Sequence, residues 1–232
     1  MKNKILKLAK FCIKQNKELV EKKLVIQSFG NVSVRYDANH FLIKPSGVNL
    51  NKIKPSDVPL ISIKSGKKVL GKLKPSMDTA THLEIYKKYK DIKSITHTHS
   101  EYATAWAQAS KPIPLIGTTH ADYWEKEVPI IKFINKKNIN KDYELFTGKM
   151  IIENLVNKKI NAYRCPGVLV AGHGPFTWGK EVDSSVLNAE ILEFIAKTTY
   201  MSFQLKIKKK LPKHISNKHF VRKHGKDAYY GQ

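Results

Sequence analysis

Apolar residues recur at helical spacing through the first 24 positions, and lysines occupy many of the positions between them. Ile5, Leu8 and Cys12, followed by Leu19 and Leu24, form one apolar stripe, which predicts an amphipathic first helix. Its lysine-rich side is a candidate membrane-contacting face. We favour the interpretation that it is the solvated face of a helix docked on the domain, because long lysine side chains commonly cover such faces.

Short apolar runs separated by turn residues come next, and this pattern is typical of β-strands. They span residues 24–29, 32–36, 41–44, 58–64, 94–98, 128–134 and 167–171. Helical spacing returns over residues 78–90, 102–109, 148–159 and 182–205. Because helices and strands alternate with no low-complexity linker and no repeat, we predict a single α/β domain over residues 1–232.

The charge of the chain is strongly positive. Lys and Arg number 42 against 19 Asp and Glu, a formal net charge of +23, while 41% hydrophobic residues argue against disorder. Such a charge suggests nucleic acid, an anionic membrane or a phosphorylated substrate. Only Arg35, Arg164 and Arg222 are arginines. Since base and phosphate recognition favours the arginine fork, we expect no nucleic-acid partner.

The number and spacing of the cysteines and the length of the apolar runs indicate in which cellular compartment the protein is found. Cys12 and Cys165 lie far apart, which predicts neither a disulfide framework nor a cysteine zinc site and fits a reducing compartment. The apolar runs are well short of the ~20 residues that a membrane span needs, and the lysine-rich start lacks the apolar core of a secretory signal. We therefore expect a cytoplasmic protein without a membrane partner.

Three histidines and one carboxylate suggest metal chemistry. His97 and His99 stand two apart on a strand-like segment, so their side chains share one face. His173 follows a buried strand between two glycines, and Asp78 precedes a predicted helix. Three histidines plus a carboxylate match the ligand set of a catalytic zinc site. Surface or turn histidines, and a helix-capping role for Asp78, remain alternatives at this point.

Turns rich in hydroxyl, amide and lysine groups suggest anion binding. GNVS at 30–33, KPSG at 44–47 and KPS at 74–76 can present backbone N–H groups and lysine charge to a phosphate monoester. Asp122 and the aromatic C-terminus could supply an acid/base pair, although such an aromatic run usually packs. The residues alone therefore indicate a metal-assisted reaction on a phosphorylated small molecule.

An ordered set of motifs resembles the class II aldolase/epimerase/adducin-head family from about residue 27 to residue 232. The motifs are GNVS (30–33), KPSG (44–47), DTxTH (78–82), HTHS (97–100), GTTHADY (117–123), HGPFxWG (173–179) and KHGxxAYYGQ (223–232). The C-terminal AYYGQ resembles the L-ribulose-5-phosphate 4-epimerase branch more than the fuculose-phosphate and rhamnulose-phosphate aldolases.

The resemblance implies a three-layer α/β/α sandwich around a mostly antiparallel sheet. It also implies a homotetramer with active sites between subunits, in which residues from about 213 to 232 complete the site of a neighbouring subunit.

Site residues are implied position by position. The zinc positions, where Mn²⁺ or Co²⁺ could also bind, are Asp78, His97, His99 and His173. The substrate-binding positions, chiefly for phosphate, are Gly30, Asn31, Lys44, Ser46, Gly47 and Ser76. The acid/base pair is Asp122 and Tyr230, with Tyr230 expected from the neighbouring subunit and His219 and His224 as supporting groups. Met77 stands where the family commonly has a second serine, which puts one phosphate contact in doubt.

The implied activity is zinc-dependent interconversion of L-ribulose 5-phosphate and D-xylulose 5-phosphate, an isomerase step shared by arabinose and ascorbate degradation. Cleavage of C3–C4 and re-addition to the other face of the aldehyde would invert C4. One alternative is a class II aldolase that cleaves a phosphorylated ketose. Asp78 argues against it, because a glutamate is expected at this position in the aldolases. Another alternative is a non-catalytic, adducin-head-like interaction module, and the presence of all three histidines argues against it. We interpret the surplus of lysine as the result of a coding bias. Its positive charge can still attract phosphorylated substrates to the protein.

Overall fold

Helices and strands alternate along the chain in the computed structural model, which describes residues 2–26, 28–207, 210–226 and 228–229. The helices are α1 (Lys2–Glu21), α2 (Thr79–Lys88), α3 (Glu101–Gln108), α4 (Thr118–Ala121), α5 (Lys136–Ile139), α6 (Tyr143–Asn157), α7 (Ser184–Gln204) and α8 (Lys213–His224). The strands are β1 (Asn31–Arg35), β2 (His40–Ile43), β3 (Leu60–Ser62), β4 (Lys68–Leu70), β5 (Ser94–His97), β6 (Ile130–Ile131), β7 (Gly167–Val170) and β8 (Gly174–Gly179).

The strands form one sheet in the order β4-β3-β2-β1-β5-β8-β7-β6. All neighbouring pairs are antiparallel except β6 and β7, which run parallel. In the centre, Asn31 of β1 lies opposite His97 of β5, and His97 lies opposite Phe176 of β8. The mostly antiparallel sheet is therefore as predicted.

Helices cover both faces of this sheet. Val32 of β1 packs with Leu19 of α1 in one buried cluster, and the side chain of the next residue, Ser33, bonds His82 of α2 on the other face. On the α1 side of β5, the hydroxyl of Thr96 meets Ser185 of α7 at 2.8 Å. The alternation of side chains along a strand thus produces the predicted three-layer α/β/α sandwich.

The apolar core divides between the two faces. Phe41, Trp124, Phe176 and Trp178 belong to the largest cluster and are almost completely buried. A smaller cluster packs α1 on the sheet through Ala9, Cys12, Val34, Leu42, Val58 and Leu60. The first helix is therefore docked on the domain, and none of the described helices is long and apolar enough to cross a membrane. Burial raises the pKa of both cysteine thiols to about 12.

Some elements differ from the sequence-based expectation. The described part of residues 24–29 contains no strand and forms a loop whose Ser28 carbonyl is held by Lys44. The strand expected over 128–134 shrinks to Ile130–Ile131. Strand β8 was not predicted, because Gly174, Pro175 and Gly179 interrupt the apolar pattern of a strand, although every residue in it is buried. Helix α8 was not predicted either, because it has no apolar stripe: Phe220 is its one buried residue among those described.

Candidate functional site

Three histidines converge at one end of the central strands. His97 ends β5, His99 follows it, and His173 lies in the turn between β7 and β8. One ring nitrogen from each lies within 4.8 Å of the others, and the Nε2 atoms of His97 and His99 are 3.0 Å apart. Two ligands of a tetrahedral zinc ion stand about 3.3 Å apart, given Zn–N bonds of about 2.0–2.1 Å. The cluster therefore suits a divalent ion with histidine ligands.

Neighbouring groups orient two of these rings. His97 Nδ1 donates to the carbonyl oxygen of Pro175 at 2.9 Å, which leaves Nε2 as its lone-pair nitrogen. The hydroxyl of Tyr143 lies 3.3 Å from His173 Nδ1, so the other nitrogen of that ring is the one available to an ion. Partners of this kind on the outer nitrogen are the usual arrangement around metal-binding histidines.

Burial keeps the three rings neutral. It lowers the pKa of His97 well below the usual value, an effect that the neighbouring imidazoles of His173 and His99 strengthen. Burial also lowers the pKa of His99 and of His173, against the opposing attraction of Asp78. Neutral imidazole is the form that binds a metal, so protons do not compete at neutral pH.

Asp78 lies at the edge of this cluster. It precedes α2 at the N-cap position, but its side chain makes no capping hydrogen bond. Instead Asp78 Oδ2 accepts from Asn31 Nδ2 at 2.6 Å. The carboxylate lies outside the three-histidine group, yet its charge acts on the pKa of both His99 and His173. Its side chain is therefore bonded to Asn31, the residue opposite His97 on the neighbouring strand, instead of capping its helix.

The three turns expected to bind phosphate lie together. Lys44 is 5% exposed, and its Nζ donates to the carbonyls of Ser28 at 2.6 Å and Gly30 at 3.1 Å. The turns after β2 and before α2 are joined by two backbone hydrogen bonds, from Ser46 N–H to Lys74 O and from Ser76 N–H to Lys44 O, both 3.0 Å. Burial lowers the pKa of Lys44, although the nearby Asp78 opposes the shift.

Two glycines in these turns have positive φ angles but different surroundings. A Cβ on Gly30, at φ +73°, would lie 2.5 Å from Val25 Cγ1 and 2.7 Å from the carbonyl oxygen of His97. Gly30 therefore has to be glycine. Gly47, at φ +59°, has open space around it, so a ligand can approach its backbone. Met77, in the turn that also holds Ser76, is 70% exposed.

Asp122 is placed by a different set of contacts. It ends α4 and is buried, with its carboxylate accepting from Arg222 Nε at 3.1 Å, from Arg222 Nη2 at 3.0 Å and from His219 Nδ1 at 3.1 Å. His224 Nε2 lies 2.7 Å from its carbonyl oxygen. The C-terminal helix α8 is thereby attached to α4 of the same chain.

This second group lies away from the histidines. His224 lines the same cavity as Gly179, the last residue of β8, whereas His173 precedes Gly174, the first. Five residue steps along a strand span about 16 Å. Within this chain, the structure thus brings His97, His99 and His173 together, with Asp78 bonded to the adjoining Asn31, and leaves Asp122 apart from them. Tyr230 lies outside the described residues.

Two further residues at the site were not singled out from the sequence. Tyr143 contacts His173 across thirty positions, and no local pattern reveals that contact. His82, inside the DTxTH motif, is completely buried, with its Nδ1 2.7 Å from Ser33 Oγ. The spacing of Asp78, His82 and Tyr86, four residues apart on one helix face, could have indicated it.

Comparison with known families and structures gives a consistent result. A family model described as "Class II Aldolase and Adducin N-terminal domain" matches residues 12–200. An L-fuculose 1-phosphate aldolase structure is 26% identical, with a TM-score of 0.75 over 91% of this chain and 93% of that one. YgbL of Escherichia coli, described as a putative aldolase/epimerase/decarboxylase, is 20% identical with a TM-score of 0.73 over 92% of this chain and 97% of its own. An L-fuculose 1-phosphate aldolase from Glaciozyma antarctica PI12 is 16% identical, with a TM-score of 0.74 over 93% of this chain and 81% of that one.

Proposed function

Because the chain belongs to the class II aldolase and adducin family, we propose that it is a metal-dependent enzyme acting on a phosphorylated ketose. The observation that carries this proposal is the group of three neutral histidines at 4.8 Å or less, beside turns that hold the buried Lys44. We further propose that the reaction is the 4-epimerisation of L-ribulose 5-phosphate to D-xylulose 5-phosphate.

The metal would be held by His97, His99, His173 and Asp78. Three nitrogens and one carboxylate oxygen suit Zn²⁺, and the same donors accept Mn²⁺ or Co²⁺. When bound, the ion supplies a Lewis acid that stabilises negative charge developing on the oxygens of the substrate. Because the histidines are already neutral and two of them are oriented by Pro175 and Tyr143, little reorganisation of the histidine rings is needed to bind it.

The joined turns would bind the substrate phosphate. Lys44 uses two of its three N–H donors on the carbonyls of Ser28 and Gly30, which leaves one donor and the positive charge for an anion. The open backbone at Gly47 and the hydroxyls of Ser46 and Ser76 would add hydrogen bonds. This attachment is what keeps a phosphorylated aldehyde in place after C3–C4 cleavage, so that it can turn over before it rejoins.

Proton transfer would be carried out by Asp122 and Tyr230. One would take the proton of the C4 hydroxyl during cleavage, and the other would return a proton to the oxygen after re-addition to the opposite face. Within one subunit, Asp122 lies at the far end of β8 from the histidines. We therefore propose that these two residues act on the metal site of a neighbouring subunit in a homotetramer, with residues 213–232 completing that site.

A coupled assay tests the proposed reaction. Protein loaded with Zn²⁺ is incubated with L-ribulose 5-phosphate, and formation of D-xylulose 5-phosphate is followed enzymatically. Product formation that disappears on chelation and returns with added metal is the expected result. Absence of any turnover in metal-loaded, oligomeric protein would refute the proposed epimerisation.

The second candidate is an aldolase that releases its cleavage products. It is favoured by the similarity to an L-fuculose 1-phosphate aldolase structure at 26% identity. With the same substrate, an aldolase would accumulate dihydroxyacetone and glycolaldehyde phosphate in place of D-xylulose 5-phosphate. Quantifying the three products in one reaction therefore separates a lyase from an isomerase.

A further inference from the structure

A row of polar contacts joins strand β1 to helix α2 and ends at the histidine cluster. We call it the polar seam: Asn31, Ser33 and Arg35 on alternate positions of β1, and Asp78, His82 and Tyr86 on successive turns at α2. Asn31 bonds Asp78 at 2.6 Å, Ser33 bonds His82 at 2.7 Å and Tyr86 at 3.0 Å, and Arg35 bonds the Tyr86 carbonyl at 2.9 Å. The period of two on the strand and four on the helix brings the pairs into register.

In the middle of the polar seam, the positions of the hydrogens on Tyr86, Ser33 and His82 follow from the requirement that each buried donor has an acceptor. Tyr86 is almost fully buried, and the hydrogen-bond partner of its hydroxyl among the described residues is Ser33 Oγ. The phenol therefore donates to Ser33, and Ser33 donates in turn to His82 Nδ1. Any other arrangement leaves a buried hydroxyl hydrogen without an acceptor, which is costly. Because Nδ1 accepts this hydrogen bond from Ser33, the one N–H hydrogen of the ring is on Nε2.

The Nε2–H group of His82 is buried and has no hydrogen-bond partner among the described residues. The two ionisable groups whose charge acts on the ring are Asp78 and His97. Both nitrogens of His97 are already engaged, Nδ1 with Pro175 and Nε2 with the histidine cluster. Asp78 Oδ2 is bonded to Asn31, and the carboxylate has further lone pairs to offer.

We propose that His82 is a positioning residue of the metal site: when the Asp78 carboxylate binds a metal, the Nε2–H of His82 donates to it and fixes its ligating orientation. This inference rests on the proposed function, because it assigns Asp78 to the metal. Hydrogen-bonded carboxylate ligands are the rule around protein-bound metals, and loss of such a partner typically weakens metal affinity by about 10–100-fold.

Two substitutions of His82 separate the two ring nitrogens. A glutamine amide can place an N–H near the position of Nε2, whereas an asparagine amide reaches only the position of Nδ1. Metal-free protein is titrated with Co²⁺, and visible absorption reports both the affinity and the coordination geometry. We expect His82→Gln to stay within about threefold of the unsubstituted protein, and His82→Asn to lose about tenfold or more with an altered spectrum. Equal losses in both variants, or a smaller loss for asparagine, would overturn the proposal.

Ser33→Ala gives a test that leaves His82 in place. Without the serine hydroxyl, the hydrogen of the ring is no longer confined to Nε2, so Co²⁺ affinity should fall by several-fold. Tyr86→Phe is the matched control, since it removes a hydroxyl of the same seam and leaves the Ser33–His82 bond intact. It should lower the melting temperature while Co²⁺ affinity stays within about twofold. Unchanged affinity in Ser33→Ala would contradict the proposal even if the His82 variants do not fold.

The same titration distinguishes this inference from the proposed function. If the unsubstituted protein binds neither Co²⁺ nor Zn²⁺, the metal-dependent function fails and the inference fails with it. If it binds metal and is active while His82→Asn binds equally well, the inference alone is wrong.

Discussion

Arg222 binds both carboxylate oxygens of Asp122, with Nε 3.1 Å from Oδ1 and Nη2 3.0 Å from Oδ2. This two-point contact, together with the bond from His219, fastens α8 to the end of α4. An arginine fork matches a carboxylate in a way that a lysine does not. Asp122 and the helix that precedes Tyr230 in the sequence are therefore one structural unit.

Replacing Asp122 by asparagine should separate catalysis from metal binding. The amide keeps an acceptor for Arg222 but cannot act as a base, so turnover should fall by about 10²-fold or more while zinc content is unchanged. Steady-state kinetics and metal analysis of the purified variant give both quantities. Asp37→Asn, which alters an aspartate on an exposed hairpin, serves as the control and should keep full activity. Full activity in Asp122→Asn would remove Asp122 from the mechanism.

Mixing two inactive variants tests whether the sites lie between subunits. In a cyclic tetramer reassembled from equal amounts of His97→Ala and Asp122→Asn chains, about one site in four pairs intact histidines with an intact Asp122. Activity should therefore recover to about a quarter of that of the unsubstituted protein. If all catalytic groups came from one chain, the mixture would stay as inactive as its components.

His97→Ala should abolish stoichiometric metal binding. Its Nε2 is central to the cluster, 3.0 Å from His99 Nε2, and two remaining histidines bind an ion much more weakly. Metal analysis after dialysis against Zn²⁺ measures the change. The half-exposed His40, which pairs with Asp37, provides the control substitution His40→Ala. One zinc per chain in His97→Ala would mean that His97 is not a ligand.

His120 should make the folded state less stable in acid. Burial lowers its pKa to about 4 from the usual 6.5, so the unfolded chain binds a proton more readily between these values. Stability is therefore unaffected above pH 6.5 and falls as the pH drops towards 4, by up to about 3 kcal/mol from this group.

Urea unfolding of His120→Gln at several pH values checks this effect. The variant should show a shallower loss of stability than the unsubstituted protein over that range. Identical slopes for His120→Gln and the unsubstituted protein would refute this role of His120.

Arg35→Lys should destabilise the fold without affecting metal content. The buried guanidinium donates to the carbonyls of Ile92, Tyr86 and Tyr89 at 2.7–3.0 Å, and a single ammonium cannot reach all three. Leaving a buried carbonyl unpaired costs about 1–3 kcal/mol, so we expect a loss of about 2–3 kcal/mol in urea unfolding. Arg164→Lys, in an exposed pair with Glu125, should cost about 1 kcal/mol or less. Equal effects of the two substitutions would be inconsistent with this account.

The three-histidine cluster of the candidate site could be predicted because its signals are local. Alternation along a strand predicted His97 and His99 on one side, although β5 ends at His97 and His99 lies just beyond it, and the turn residues of 44–47 predict a backbone open to an anion. The helical period likewise predicted α1, α2 and α7. Strand β8 and helix α8 were missed because their burial depends on the neighbours that cover them and not on their own pattern.

The sequence by itself determined which chemical groups the protein carries, the type of most elements and the face on which each side chain lies, because backbone geometry imposes those periods locally. Only the tertiary structure decided that Asp78 bonds Asn31 instead of capping its helix, that Tyr143 meets His173, and that Asp122 lies at the opposite end of β8 from the histidines. These relationships join residues 30 or more positions apart or on different elements. They follow from the order of strands in the sheet and the docking of helices on it, which no local period encodes.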